Sequence, residues 1–269
     1  MNADLITSAV SARFPDLAGK VAIVTGTSRG IGCGIAEFLA RQGMKLVLTA
    51  RSAEQGEAFA KYLETTGADC VWVTADVSTA DGAQTVFDAA VRRFERVHLL
   101  VNNAAKPWSV PFLELDEQTY RHDCEGNIRL VYYLSRLVAR HMVDAGGGSI
   151  VHLSSVGGLR AHHGMGGYDA SKGAVDALTR AMAVELAGHR IRVNAVAPGA
   201  TDTRKASSRQ DDPRTGSEQY IPLGRKGTIE EMGAAVAFLA SDAASYITGQ
   251  ILYVDGGLTA QLTPPGIHV

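Results

Sequence analysis

The stretch that decides the fold is VAIVTGTSRGIG, residues 21–32. Residues 21–25 are apolar or β-branched and do not alternate with polar ones, as in a strand covered on both faces. A glycine-rich turn follows, and a helical pattern opens directly after it. Gly26, Gly30 and Gly32 allow a tight turn and close backbone approach. The helix N-terminus beyond them would offer unpaired N–H groups and partial positive charge to a pyrophosphate. Taken alone, the triplet also fits a plain tight β–α turn. Its spacing, Gly-x3-Gly-x-Gly, departs from the usual G-x-G-x-x-G form.

Outward from this turn, short apolar runs alternate with longer amphipathic ones. Strand-like runs lie at 21–25, 45–50, 70–75, 98–102, 149–154, 190–196 and 251–255. Helical patterns lie at 30–42, 53–66, 79–95, 116–144, 168–187 and 228–241. This alternation implies right-handed βαβ units. The expected fold class is α/β, a single doubly wound, Rossmann-like parallel sheet of seven strands with helices on both faces. Residues 1–18 read as an N-terminal extension, 19–260 as the dinucleotide-binding and catalytic domain, and 261–269 as a tail. Within the domain, the polar segment 202–222 is too long for a plain connection and reads as a substrate lid.

The 269 residues are 46% hydrophobic and 20% charged, with a formal net charge of −2. That balance gives no reason to expect nucleic acid or an anionic membrane as a partner. No run approaches the ~18 apolar residues of a membrane span. Cys33, Cys70 and Cys124 have no disulfide or metal-ligand rhythm, which fits a reducing compartment. A cytoplasmic location is expected.

The chemistry concentrates in GMGGYDASKGAV, residues 164–175. Tyr168 and Lys172 stand one helical turn apart on one face. Ser155 precedes Tyr168 by thirteen residues, at the end of a strand-like run. Hydride transfer to a carbonyl builds an oxyanion that needs a proton. A free tyrosine, with a pKa of ~10, is poorly matched to neutral pH. A nearby ammonium would favour the phenolate and lower that pKa. A serine hydroxyl can polarise the same oxygen. The spacing selects Ser155 over Ser154, which reads as structural.

At this point the sequence resembles the short-chain dehydrogenase/reductase family, over residues 18–258. The resemblance rests on TGTSRGIG at 25–32, DVS at 76–78, NNAA at 102–105, Asn127, Ser155, YDASK at 168–172, APGATDT at 197–203 and YITGQILYVDGG at 246–257. It implies a single-domain oxidoreductase with a nicotinamide cofactor. Tyr168 would be general acid or base, Lys172 would hold the nicotinamide ribose, Ser155 would bind the substrate oxygen, and Asn127 would anchor a water in a proton relay. The cofactor would meet Gly26, Ser28, Arg29, Gly30, Ile31, Gly32, Asp76, Val77, Asn103 and Ala104. Its nicotinamide amide would meet Pro198, Gly199, Thr201 and Thr203. Asp76 outside this context would be only a cap or turn residue. The resemblance also implies a homotetramer. Ala105 stands where the family usually has glycine, which fits only if its φ is negative.

LTARS, residues 48–52, bears on the cofactor. Family members that use NAD tend to carry Asp where this chain has Ala50. Arg51 follows, and Arg29 lies in the glycine loop. An acid would repel a 2′-phosphate, whereas two guanidinium groups attract it with charge-assisted hydrogen bonds. NADP(H) is therefore expected over NAD(H), and with it reduction of a ketone. The alternatives are an alcohol or polyol dehydrogenase working oxidatively, and a non-catalytic NADP(H)-sensing protein. The substrate is expected to be a small carbonyl or alcohol beside Trp108, Gly157 and His163. Trp108 fits ordinary packing under a loop equally well. Adjacent His162 and His163 lack nearby partners for a metal, and none is expected.

Overall fold

The computed structural model describes residues 10–106, 109–203 and 216–266. Its core is a sheet built from β1 (Val21–Thr25), β2 (Lys45–Ala50), β3 (Cys70–Thr74), β4 (Leu99–Asn102), β5 (Gly148–Leu153), β6 (Ile191–Pro198) and, last in the chain, β9 (Ile251–Val254). These seven strands run in the order β3-β2-β1-β4-β5-β6-β9, and every neighbouring pair is parallel. All of β1 and all of β4 are buried, which is why their sequences show no alternation.

The connecting helices are α1 (Ile31–Arg41), α2 (Ala53–Thr65), α3 (Ala80–Phe94), α4 (Glu117–Tyr120), α5 (Gly126–Ala145), α6 (Gly166–Leu186) and α7 (Ile229–Ala240). One face of the sheet packs on α1 and α7 through Ile35, Phe38, Leu39 and Val236. The other packs on α3, α5 and α6 through Val86, Leu134, Val138 and Ala183. Glycines let α1 and α7 touch: a Cβ on Gly233 would lie 2.6 Å from the Phe38 side chain. Of the N-terminal segment, Leu17 is 1% exposed and belongs to the same core.

The expected single helix over 116–144 is instead α4, a π turn at Arg121–Glu125, and α5. A π turn widens one helical turn by a residue and displaces the apolar stripe by one position, while the backbone stays helical on both sides, so the run reads as a single helix in sequence. A second feature not read from sequence is a pair of short strands, β7 (Thr201–Asp202) and β8 (Gly227–Thr228), which brackets the lid region. Trp108 and residues 204–215 of the lid lie outside the described residues.

The sheet order reverses between β2-β1 and β1-β4, so the loops after β1 and β4 part and leave a crevice at the strands' C-terminal ends.

Candidate active site

Ser155 leaves the end of β5 in extended backbone and caps a single turn, Val156–Gly158, where its Oγ accepts from the Gly157 N–H at 3.0 Å. Across from it, Tyr168 and Lys172 project from the first two turns of α6. Lys172 is 4% exposed. Its Nζ donates to the Leu153 carbonyl at 2.7 Å and stands 5.6 Å from the centre of the Tyr168 ring. Ser154 Oγ donates to the Lys172 carbonyl at 3.5 Å, a structural contact.

Burial shapes the proton affinities here. It pushes the Lys172 ammonium down to about 8, against the opposing pull of Asp176. It also pushes the Tyr168 phenol above its ordinary value; hydrogen bonding with Ser155 pulls down and the charge of Asp169 adds to the rise. This corrects the expectation that Lys172 lowers Tyr168. The ammonium sits over the ring face, and the shift of the phenol follows chiefly from its burial.

Asn127 is buried and held by three hydrogen bonds. Its Oδ1 accepts from the Lys106 N–H at 2.7 Å, and its Nδ2 donates to the Lys106 carbonyl at 3.3 Å and to Ser171 Oγ at 3.0 Å. Ser171 Oγ in turn donates to the Tyr168 carbonyl at 2.6 Å. The side chain thus braces the loop after β4 against the helix that carries Tyr168.

The crevice is a cleft of about 740 Å³ lined by the glycine loop, Arg51, Asp76, Asn103 and Thr203. Ser28, Arg29, Ile31, Val77 and Ala104 line it too, as expected. Gly26 and Gly30 take φ values of 72° and 63°. Gly32 supports the turn from beneath, where a Cβ would collide with the Gly26 carbonyl. No side chain caps α1, and Gly30 and Ile31 at its start line the cleft. Asn103 Nδ2 donates to the Thr25 and Gly26 carbonyls at 2.9 and 3.2 Å and fixes the loop. Ala105 is not among the described non-glycine residues with positive φ, so alanine fits.

Asp76 Oδ1 accepts from Ser78 N and Oγ at 2.9 and 2.6 Å. Burial alone would raise this carboxyl, but the Ser78 bonds and the charges of Lys106 and Arg51 hold it below its usual range. An uncapped helix start, a bare glycine cradle and the cations Arg29, Arg51 and Lys106 fit a dinucleotide bearing phosphate. Lys106 was missed from sequence, although it directly follows NNAA.

Other expected contacts sit elsewhere. Of the four residues assigned to the nicotinamide amide, only Thr203 lines the cleft. Thr201 Oγ1 donates to the Gly199 carbonyl at 3.2 Å, Gly199 packs against Asp255, and Pro198 pairs with Val254. The histidine fastened beside Tyr168 is His162; His163 is exposed. Among the described residues no cluster of three or more His, Cys, Asp or Glu side chains could hold a metal.

A parallel sheet with a phosphate-ready crevice at its switch point, together with a serine–tyrosine–lysine group whose serine and lysine are buried, defines a dinucleotide-dependent α/β oxidoreductase. The sequence model of a family described as Enoyl-(Acyl carrier protein) reductase matches residues 26–259. A 3-oxoacyl-[acyl-carrier-protein] reductase of Vibrio cholerae is 37% identical over 243 residues, covering 90% of this chain and 98% of that one. A cis-4-hydroxycyclohexanecarboxylate dehydrogenase of Sinomonas cyclohexanicum is 40% identical over 245 residues, covering 90% and 98%. The structure of a short-chain type dehydrogenase/reductase from Mycobacterium marinum superposes with a TM-score of 0.84 at 33% identity, covering 92% of this chain and 98% of that one. The chain belongs to the short-chain dehydrogenase/reductase family, oxidoreductases of CH–OH and C=O groups that bind a nicotinamide cofactor.

Proposed function

We propose that this chain is an NADPH-dependent ketone reductase with Ser155, Tyr168, Lys172 and Asn127 as its site. The observation that carries the reading is the pairing of the Ser155–Tyr168–Lys172 group, whose serine and lysine are buried, with a cleft holding Arg29, Arg51 and no acid at position 50. When bound, the nicotinamide supplies the hydride. Ser155 holds the substrate oxygen, and Tyr168 gives that oxygen its proton. A phenol kept protonated by burial suits that donor role better than the base role of oxidation. Lys172 holds the cofactor ribose and is recharged with protons along the Asn127 side. Arg51 and Arg29 clamp the 2′-phosphate, and Asp76 accepts from adenine.

The named activities of the Vibrio and Sinomonas relatives both interconvert a carbonyl and an alcohol, which supports the reaction class. The proposal extends to a homotetramer in the cytoplasm, with 19–260 as the catalytic unit and 202–222 as its lid. Val184 and Tyr246, 82% and 103% exposed, offer apolar surface for assembly. Light scattering tests that: a monomeric mass overturns it.

A panel of ketones followed by NADPH absorbance tests the activity. Turnover lost in Tyr168→Phe supports it, and unchanged turnover overturns the mechanism. Faster NADP+-linked oxidation of secondary alcohols across the same panel would favour the dehydrogenase instead.

A further inference from the structure

The wall beside Tyr168 is fastened by one side chain. Asp169, the next residue on α6, accepts from the His162 N–H through Oδ2 at 2.6 Å, and its Oδ1 stands 2.7 Å from His162 Nδ1. The Asp169 side chain is 10% exposed and that of His162 39%, so the carboxylate is sheltered while the ring stays accessible. Gly157 makes room for the pair, because a Cβ there would collide with Asp169 Oδ1 and come within 3.0 Å of the His162 ring. The His162 ring centre lies 6.5 Å from that of Tyr168, with the planes inclined at 59°.

A carboxylate can only accept, so the proton of this bond resides at Nδ1. Whenever the ring carries that one proton alone, its lone pair is at Nε2, for which no partner stands among the described residues. The result is an oriented acceptor within one small molecule's reach of the proton donor. We propose that His162, held by Asp169, determines specificity: Nε2 accepts a hydrogen bond from a hydroxyl on the substrate, so the preferred class is a hydroxyl-bearing ketone. This rests on the ketone-reductase reading of the same site.

The test compares cyclohexanone with its ring-hydroxylated derivatives, using NADPH and the full chain. His162→Asn keeps a nitrogen near the Nδ1 position for Asp169 but has nothing at Nε2. His162→Gln places a polar end where Nε2 was. The wild type is expected to favour a hydroxylated ketone by ~10-fold or more in kcat/KM. His162→Asn should erase that preference through KM, leave cyclohexanone within ~2-fold, and keep NADPH affinity, while His162→Gln restores part of the preference. Equal loss on both ketones would reduce His162 to a structural prop, and no preference in the wild type would overturn the proposal. Binding of the same pair to the NADPH-loaded protein is measured in parallel by ligand-observed NMR. If no ketone is reduced, the reductase reading falls, and the binding preference still decides His162: equal binding by wild type and His162→Asn overturns it.

Discussion

Lys172 Nζ lies 2.7 Å from the Leu153 carbonyl, so the helix carrying Tyr168 is pinned to the last residue of a central strand. The bond replaces one water that the ammonium lost on burial, yet desolvation still brings its pKa down to about 8. The charged form is therefore complete below that value and is lost as pH rises through it. Reductive kcat/KM is expected to be level from about pH 6 to 7 and to decline through about pH 8. Lys172→Met should lower kcat/KM by ~10²–10⁴ and abolish that decline. Paired pH–rate profiles check both; an unchanged limb in Lys172→Met would assign it to another group.

Arg51 and Arg29 line the cleft where Ala50 leaves no negative charge. Each hydrogen bond to a charged group is worth ~1.5–3 kcal/mol, which after desolvation leaves a preference of roughly 30- to 1000-fold. The wild type is expected to bind NADPH more tightly than NADH by a factor in that range. Ala50→Asp with Arg51→Ile should shift preference towards NADH while kcat with saturating cofactor changes little. Fluorescence titration of both reduced cofactors measures this, and equal affinities in the wild type would remove the proposed clamp.

The sheet was legible because its inner strands are buried on both faces and carry mostly apolar runs without alternation, as Val21–Thr25 and Leu99–Asn102 do. Tyr168, Lys172 and Ser155 were legible because helix geometry turns a four-residue spacing into one face. The break at Arg121–Glu125 was not, since a single widened turn leaves the chain helical on both sides and moves the stripe by only one position. Nor was the choice of His162 over His163, because neighbouring histidines differ only in which one meets Asp169. The direction of the Tyr168 shift also escaped: sequence names the charges near a group, whereas burial depends on the packed fold.

His152 occupies the interior of β5 at 0% exposure, with Nδ1 3.1 Å from Asn102 Nδ2, and burial drives its pKa down to about 3. The folded chain keeps the ring neutral, whereas the unfolded chain protonates it near pH ~6.5. Stability from this site is complete above ~6.5 and falls as pH drops towards the folded value, by ~1.4 kcal/mol at pH ~5.5. His98, half-buried and lowered to about 4 with Nδ1 accepting from the Val21 N–H, also stays neutral in the folded chain at that pH and adds a loss in the same direction, comparable in size before its partial exposure to solvent is discounted. Urea unfolding between about pH 7.5 and 5.5 should show this slope, and His152→Asn should reduce it by roughly half, leaving the His98 part. An equal slope in the variant would place the acid sensitivity elsewhere.

Asn127 spends its amide on three partners, the N–H and carbonyl of Lys106 and the hydroxyl of Ser171. Asn127→Ala would remove these bonds from the Lys106 N–H and carbonyl, and leave Ser171 Oγ only its bond to the Tyr168 carbonyl, in a site where Asn127 itself is 3% exposed. The expected loss is ~2–4 kcal/mol of folding stability, with the loop after β4 and the Tyr168 helix released from each other. Because Lys106 and Tyr168 sit at the two ends of this brace, NADPH affinity and kcat should both fall at a temperature where the variant is still folded. Asn127→Asp keeps the acceptor for the Lys106 N–H but loses the donor to Ser171, so it should retain more cofactor affinity than Asn127→Ala while losing a similar part of kcat. Urea unfolding, cofactor titration and turnover on the three proteins separate these terms. A fall in kcat with stability and NADPH affinity intact would show that Asn127 acts on the proton path alone and does not brace the site.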